Sequence, residues 1–139
     1  MADFDQLFAA ASAARARAYA PYSNYAVGAA LLADDGKVYC GCNVENASFP
    51  EGWCAETTAI GHLVMGGARR IVRAVVVASR IDGERVPGGR FCTPCGGCRQ
   101  RLMEFAASPA TEIWAADPDG ASQRFTMAEL LPAGFVLEE

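Results

Sequence analysis

Two short segments carry residues able to do chemistry: Cys54-Ala55-Glu56 and Pro94-Cys95-Gly96-Gly97-Cys98. Each stands where a loop gives way to a helix-forming run. A cysteine at a helix N-terminus feels the positive end of the helix dipole, which favours the thiolate that binds a metal. Cys95 and Cys98, three apart, can meet one ion from a single first turn, and Cys54 adds a third sulfur from another helix. Three protein ligands with a fourth tetrahedral position left open is the arrangement of catalytic rather than structural zinc. Glu56 follows Cys54 by two residues, near the ion but turned from the Cys54 direction. A carboxylate there can take a proton from a metal-activated water and return it to a substrate nitrogen.

Neither segment is informative alone, since C-x2-C pairs are common and Cys-Ala-Glu is short. Together, each at a loop-to-helix junction and separated by one strand, they predict one catalytic zinc per chain. Cys92 also forms a C-x2-C pair with Cys95, but it precedes Pro94 in the loop and cannot share the helix turn. Cys40, Cys42 and Cys92 are expected to be ordinary buried thiols. His62, the single histidine, lies about 80° round an ideal helix from Cys54 and reads as a surface or core residue. A non-catalytic zinc module, the alternative of another class, would not need Glu56, and a fourth protein ligand at the metal would support it.

These residues need a scaffold. A chain of 139 residues, 52% apolar and 20% charged, can bury one compact core, so a single domain over residues 1–139 is expected. Residues 3 to about 20 form an alanine-rich helix with Asp3 as N-cap and Pro21 as its stop. Tyr25 to Ala33 and Lys37 to Cys42 flank Asp34-Asp35-Gly36 and predict a hairpin. Residues 43–53 read as a polar loop and residues 54–65 as a helix closed by Gly66-Gly67. Ile71 to Ser79 is the clearest buried strand. Residues 81–93 are a Gly- and Pro-punctuated loop. A helix over 95–107, a strand over 111–116, a turn at Asp117 to Gly120 and a short helix near 126–131 complete the order. Strands joined through a helix pair in parallel. The fold class is therefore α/β, three-layer α/β/α, with a mixed β-sheet flanked by helices.

Composition excludes several functions. The net charge is −4, with twelve basic residues scattered among sixteen acids, whereas a nucleic-acid-binding surface is usually basic. No run reaches the roughly 18 apolar residues of a membrane span. Met1-Ala2-Asp3-Phe4-Asp5 lacks the basic-then-apolar order of a secretory leader, so cytoplasmic residence is expected, with neither nucleic acid nor membrane as a partner.

The chain resembles cytidine deaminases over nearly its whole length. A ligand-x-Glu followed by Pro-Cys-x-x-Cys is the general zinc-deaminase pattern. Further likeness lies in Tyr19-Ala20-Pro21-Tyr22-Ser23, Val27-Gly28-Ala29-Ala30-Leu31, Gly41-Cys42-Asn43-Val44-Glu45-Asn46-Ala47-Ser48, Pro94 to Gln100 and Leu130-Leu131-Pro132. The resemblance implies the small, homotetrameric, three-cysteine type with active sites shared between subunits. It implies hydrolytic deamination of cytidine and 2′-deoxycytidine in pyrimidine salvage, with zinc on Cys54, Cys95 and Cys98 and Glu56 as proton shuttle. It also implies that Asn43 and Glu45 bind the ribose 3′-hydroxyl, with Tyr25 beside the pyrimidine and Phe135 contributed by a neighbouring subunit. Phe49 takes a position that is often tyrosine. The Ala55 N–H and the Thr93 carbonyl would hold the base edge and the leaving amine. Residue type alone favours a loop turn for Asn43 and Glu45, and core packing for Tyr25 and Phe135.

The Leu130-to-Val136 stretch is also similar to deaminases of the cytosine nucleoside blasticidin S, the alternative substrate. One departure concerns the metal. Many relatives follow Cys-Ala-Glu with an arginine that donates to the zinc thiolates, whereas this chain has Thr57, which can offer them at most one neutral hydroxyl bond. Arg99, directly after Cys98, is the expected substitute in the surroundings of the zinc.

Overall fold

The computed structural model describes residues 1–82 and 91–137, so most of the loop expected over 81–93 lies outside the described residues. Helix α1 spans Phe4–Arg15. Asp3 opens it: its carboxylate accepts the Gln6 N–H and the Gln6 side chain accepts the Asp3 N–H, both at 3.0 Å. This reciprocal cap satisfies two amides that no helical carbonyl can reach. The helix stops before the residue 20 expected from alanine content and Pro21. Tyr19 is drawn away by the 43–45 segment, donating to the Asn43 carbonyl at 3.0 Å and accepting from the Glu45 N–H at 2.8 Å.

Strands β1 (Tyr25–Ala33) and β2 (Val38–Cys42) form the expected hairpin, its turn carrying Gly36 at φ +80°, which glycine adopts without steric cost. Within the 43–53 loop, Val44 and Trp53 exchange backbone hydrogen bonds, and Phe49–Glu51 makes one 3-10 turn. Helix α2 covers Ala55–Met65, strand β3 Ile71–Arg80, helix α3 Gly96–Phe105 and strand β4 Glu112–Ala116. Strand β5, Ser122–Thr126, was not expected. Its Ser-Gln-Arg-Phe-Thr has no apolar alternation because it is an edge strand held by pairing to β4. Helix α4, Met127–Leu130, follows with its own capping box.

The sheet order is β2-β1-β3-β4-β5, with β3 and β4 parallel and the other pairs antiparallel. Both faces of the central strands are covered, so β1 and β3 read as near-continuous apolar runs. Leu7 and Ala11 of α1 pack on Ala30, Leu32, Val75 and Val77. Ala59 and Leu63 of α2 pack on Ala29, Leu31, Ala74 and Val76, the alternate residues of the same strands. Gly41 brings α2 close to the sheet, since a Cβ there would lie 2.5 Å from the Ala55 carbonyl oxygen. That close seat places the first turn of α2 at the end of the sheet where β2 and β3 finish. Helix α3 begins at the same end.

Candidate metal centre and active-site cleft

Cys54 and Cys95 are the N-caps of α2 and α3, both extended (ψ 160° and 167°), and neither caps its helix through its side chain. Their sulfurs therefore stand free of the helices they open. Cys98, in the first turn of α3, is buried. The three sulfurs all lie within 4.8 Å of one another, and Cys54 and Cys95 are 3.9 Å apart. Two sulfurs at about 2.3 Å from one tetrahedral ion stand roughly 3.8 Å apart, so the trio fits zinc. Among the described residues no fourth His, Cys, Asp or Glu joins this cluster, which disfavours the closed structural site. His62 is exposed, with its Nδ1 2.8 Å from the Cys40 carbonyl.

The charges at the cluster have identifiable causes. A hydrogen bond from Cys98 draws the Cys54 thiol down to about 6, against the opposing effect of burial; Cys95 and the Arg101 charge act in the same direction as Cys98. Cys98 is pushed up as the donor in that bond and by its own burial, so its proton must be displaced by an incoming metal. Glu56, second residue of α2, is only 4% exposed. Burial raises its carboxyl to about 6, with the Cys54 charge adding to the rise and Arg101 opposing it. A buried carboxyl shifted toward neutrality can both take and give a proton near pH 7.

A cleft of about 580 Å³ opens over this cluster. Asn43, Glu45, Phe49, Ala55 and Thr93 line it together with Cys54, Glu56 and Cys95. Asn43 splints the start of β1, its Oδ1 accepting from the Val27 N–H and its Nδ2 donating to the Tyr25 carbonyl, both at 2.9 Å. Glu45 accepts the Tyr22 and Ser23 N–H groups at 2.9 and 3.2 Å and the Ser23 hydroxyl at 2.5 Å. A carboxylate has about four acceptor positions, so one remains for a ligand hydroxyl. Tyr25 and Phe135 are not among the residues lining the cleft of a single chain. Burial and a hydrogen bond with Cys92 push the Tyr25 phenol up. Phe135 is 69% exposed, its backbone bracketed by the Gln100 amide at 2.8 and 3.0 Å.

Three expectations need correction. Arg99 does not face the sulfurs: its donors go to Pro94, Thr93 and Leu130, because the first turn of α3 points its side chain back under the loop. Arg101 is instead the cation acting on Cys54 and Glu56. The Thr57 hydroxyl is buried without a hydrogen-bond partner and so makes no bond to a thiolate. Of the three thiols expected to be buried, Cys40 and Cys42 are half-buried, and Cys92 is exposed and lines the cleft. Among the lining residues that went unforeseen are two aromatic ones, Tyr22 and Trp53. Tyr22 meets Phe49 edge-on with ring centroids 5.8 Å apart. The Trp53 indole donates to the Thr58 hydroxyl at 2.8 Å; its place directly before Cys54 was the available signal.

Comparison with known proteins agrees with this geometry. Residues 1–111 match the family profile described as the cytidine and deoxycytidylate deaminase zinc-binding region. The chain is 38% identical over 137 residues to a cytidine deaminase of Sporosarcina psychrophila, covering 99% of this chain and 94% of the relative. It is 41% identical over 138 residues to one of Halalkalibacterium halodurans, covering 99% and 97%. The crystal structure of cytidine deaminase from Burkholderia pseudomallei superposes with a TM-score of 0.84 at 39% identity, covering 96% of this chain and all of that one.

Proposed function

The chain belongs to the cytidine and deoxycytidylate deaminase family, and from that premise we infer that this zinc-dependent hydrolase converts cytidine and water to uridine and ammonia. The observation carrying the reading is the buried Glu56 beside three convergent sulfurs. Cys54, Cys95 and Cys98 would hold the zinc, which would supply Lewis acidity and lower the pKa of water. Glu56 accepts the proton of the attacking water as its oxygen bonds to C4, and passes that proton to ring N3. As the C4–N4 bond breaks, Glu56 relays the remaining hydroxyl proton to the amine, which leaves as ammonia. The Ala55 N–H and the Thr93 carbonyl orient the base, and the low-polarity wall of Phe49, Trp53 and Val76 limits competing water. Ultraviolet absorbance of cytidine, deoxycytidine, cytosine and blasticidin S incubated with pure protein tests this directly. Loss of cytidine absorbance with uridine formed is the expected result, and zinc-loaded protein inert toward all four would refute it.

Deoxycytidine is a second substrate in this proposal, and pyrimidine salvage in the cytoplasm the setting. Asn43 and Glu45 bind the ribose 3′-hydroxyl, Glu45 through its remaining acceptor position. Glu45→Ala should lower kcat/KM for cytidine roughly ten- to a hundred-fold, the value of a hydrogen bond to a charged group, and leave any weak action on free cytosine unchanged. Equal loss on both would assign Glu45 to the Tyr22–Ser23 turn alone.

The exposed Phe135, Val136 and Leu137 support a homotetramer in which Phe135 of one subunit reaches the Tyr25 side of a neighbour's site. Mixed Glu56→Gln and Phe135→Ala subunits should then recover activity in hybrids; sedimentation of an active monomer would contradict sharing.

A further inference from the structure

Arg99 stands beside a zinc ligand yet acts elsewhere. Its Nε donates to the Pro94 carbonyl at 2.8 Å, one terminal nitrogen to the Thr93 hydroxyl at 2.8 Å and the other to the Leu130 carbonyl at 2.9 Å. The planar guanidinium fork thus joins two pieces of chain far apart in sequence. One is the Thr93–Pro94 wall of the cleft. The other is the end of α4, from which the chain runs on to Phe135.

Apart from Arg99 the wall segment is held by side-chain contacts, the burial of Pro94 and the hydrogen bond between Cys92 and the Tyr25 phenol. Among the described residues, no backbone–backbone hydrogen bond reaches positions 91–94, and Pro94 has no N–H to offer. The remaining contact within the segment is a long one from the Cys92 sulfur to the Thr93 carbonyl, 3.8 Å. A surface that must meet a flat base needs a fixed direction, and misplacement by about 1 Å is costly.

We infer that Arg99 is a positioning residue for the nucleoside, locking the Thr93–Pro94 wall against α4 without acting on the metal or on proton transfer. Gln100, the next residue, brackets the Phe135 backbone, so one turn of α3 ties both the cleft wall and the C-terminal segment to the same helix. The inference rests on the deaminase reading above.

The test uses the full zinc-loaded protein with Arg99→Gln, Arg99→Lys, Thr93→Val and the double variant Arg99→Gln/Thr93→Val. KM and kcat for cytidine are measured, together with zinc content and the Kd of the product uridine by calorimetry. Arg99→Gln should raise KM and the uridine Kd at least about tenfold, with kcat within a few-fold and zinc unchanged. Arg99→Lys should recover part of the loss, because an ammonium can reach one or two of the three acceptors. Thr93→Val should reproduce a fraction of the effect and add nothing on top of Arg99→Gln, since both remove one contact. Should Arg99→Gln fail to fold, weaker uridine binding by zinc-replete Thr93→Val carries the same meaning. Unchanged KM and Kd, additive losses in the double variant, or a fall in zinc content or in kcat alone would overturn the inference. A wild-type protein that binds zinc but does not deaminate cytidine would instead overturn the reading beneath it.

Discussion

Glu56→Gln should retain zinc and the fold while losing turnover by at least about 10² to 10⁴-fold, the usual contribution of one positioned acid–base group. The loss should fall toward the upper end, since Glu56 handles the proton of the incoming water and that of the departing amine. The amide matches the carboxylate in size but cannot accept a proton. The variant should be no less stable than the wild type, because burial disfavours the charged carboxylate at this position and the amide has no charge to bury. Single-turnover absorbance with zinc content and thermal unfolding in parallel checks all three. Near-wild-type turnover in a zinc-replete variant would end the shuttle mechanism.

Cys98→Ala should abolish metal binding and with it activity. Cys98 is fully buried and its sulfur lies within 4.8 Å of the other two, so its removal takes away one of the three ligands and leaves a gap that solvent does not readily fill. Forfeiting one of three ligands costs on the order of 3–5 kcal/mol, or about 10² to 10⁴ in affinity. Zinc that binds the folded chain also raises its stability. A chelator should therefore lower the Tm of the wild type and leave that of Cys98→Ala unmoved. Cys40→Ala and Cys92→Ala, outside the cluster, should bind zinc as the wild type does. Full zinc occupancy in Cys98→Ala would show that another residue completes the site.

Some elements are legible from the chain because their causes are local. The β1–β2 hairpin follows from two apolar runs around Asp34-Asp35-Gly36, and β3 from a β-branched stretch too apolar for a surface. The α1 cap at Asp3 needs only Gln6 three residues on. Strand β5 escapes such reading, since Ser-Gln-Arg-Phe-Thr is extended through hydrogen bonds to β4 and not through a pattern of its own. The end of α1 escapes it too, because Tyr19 is recruited by residues 43–45.

For the site the division is similar. Ligand-type residues at two loop-to-helix junctions belong to the sequence itself: helix geometry places Cys95 and Cys98 on one turn, and an N-cap position frees a side chain from its helix. Distance along the chain says nothing about direction in space, and there the tertiary structure decides. Arg99 is adjacent to Cys98, yet its guanidinium serves the Thr93–Pro94 wall, while Arg101, two residues further, carries its charge toward Cys54. Cys92 faces the cleft, whereas Tyr25 and Phe135 do not line it within one chain. By itself the sequence determined the donor chemistry and the helices that present it. Only the packing of α2 and α3 at one end of the sheet decided which side chains meet there, because a side chain's aim depends on the helix turn it occupies and on the acceptors that neighbouring segments bring within reach.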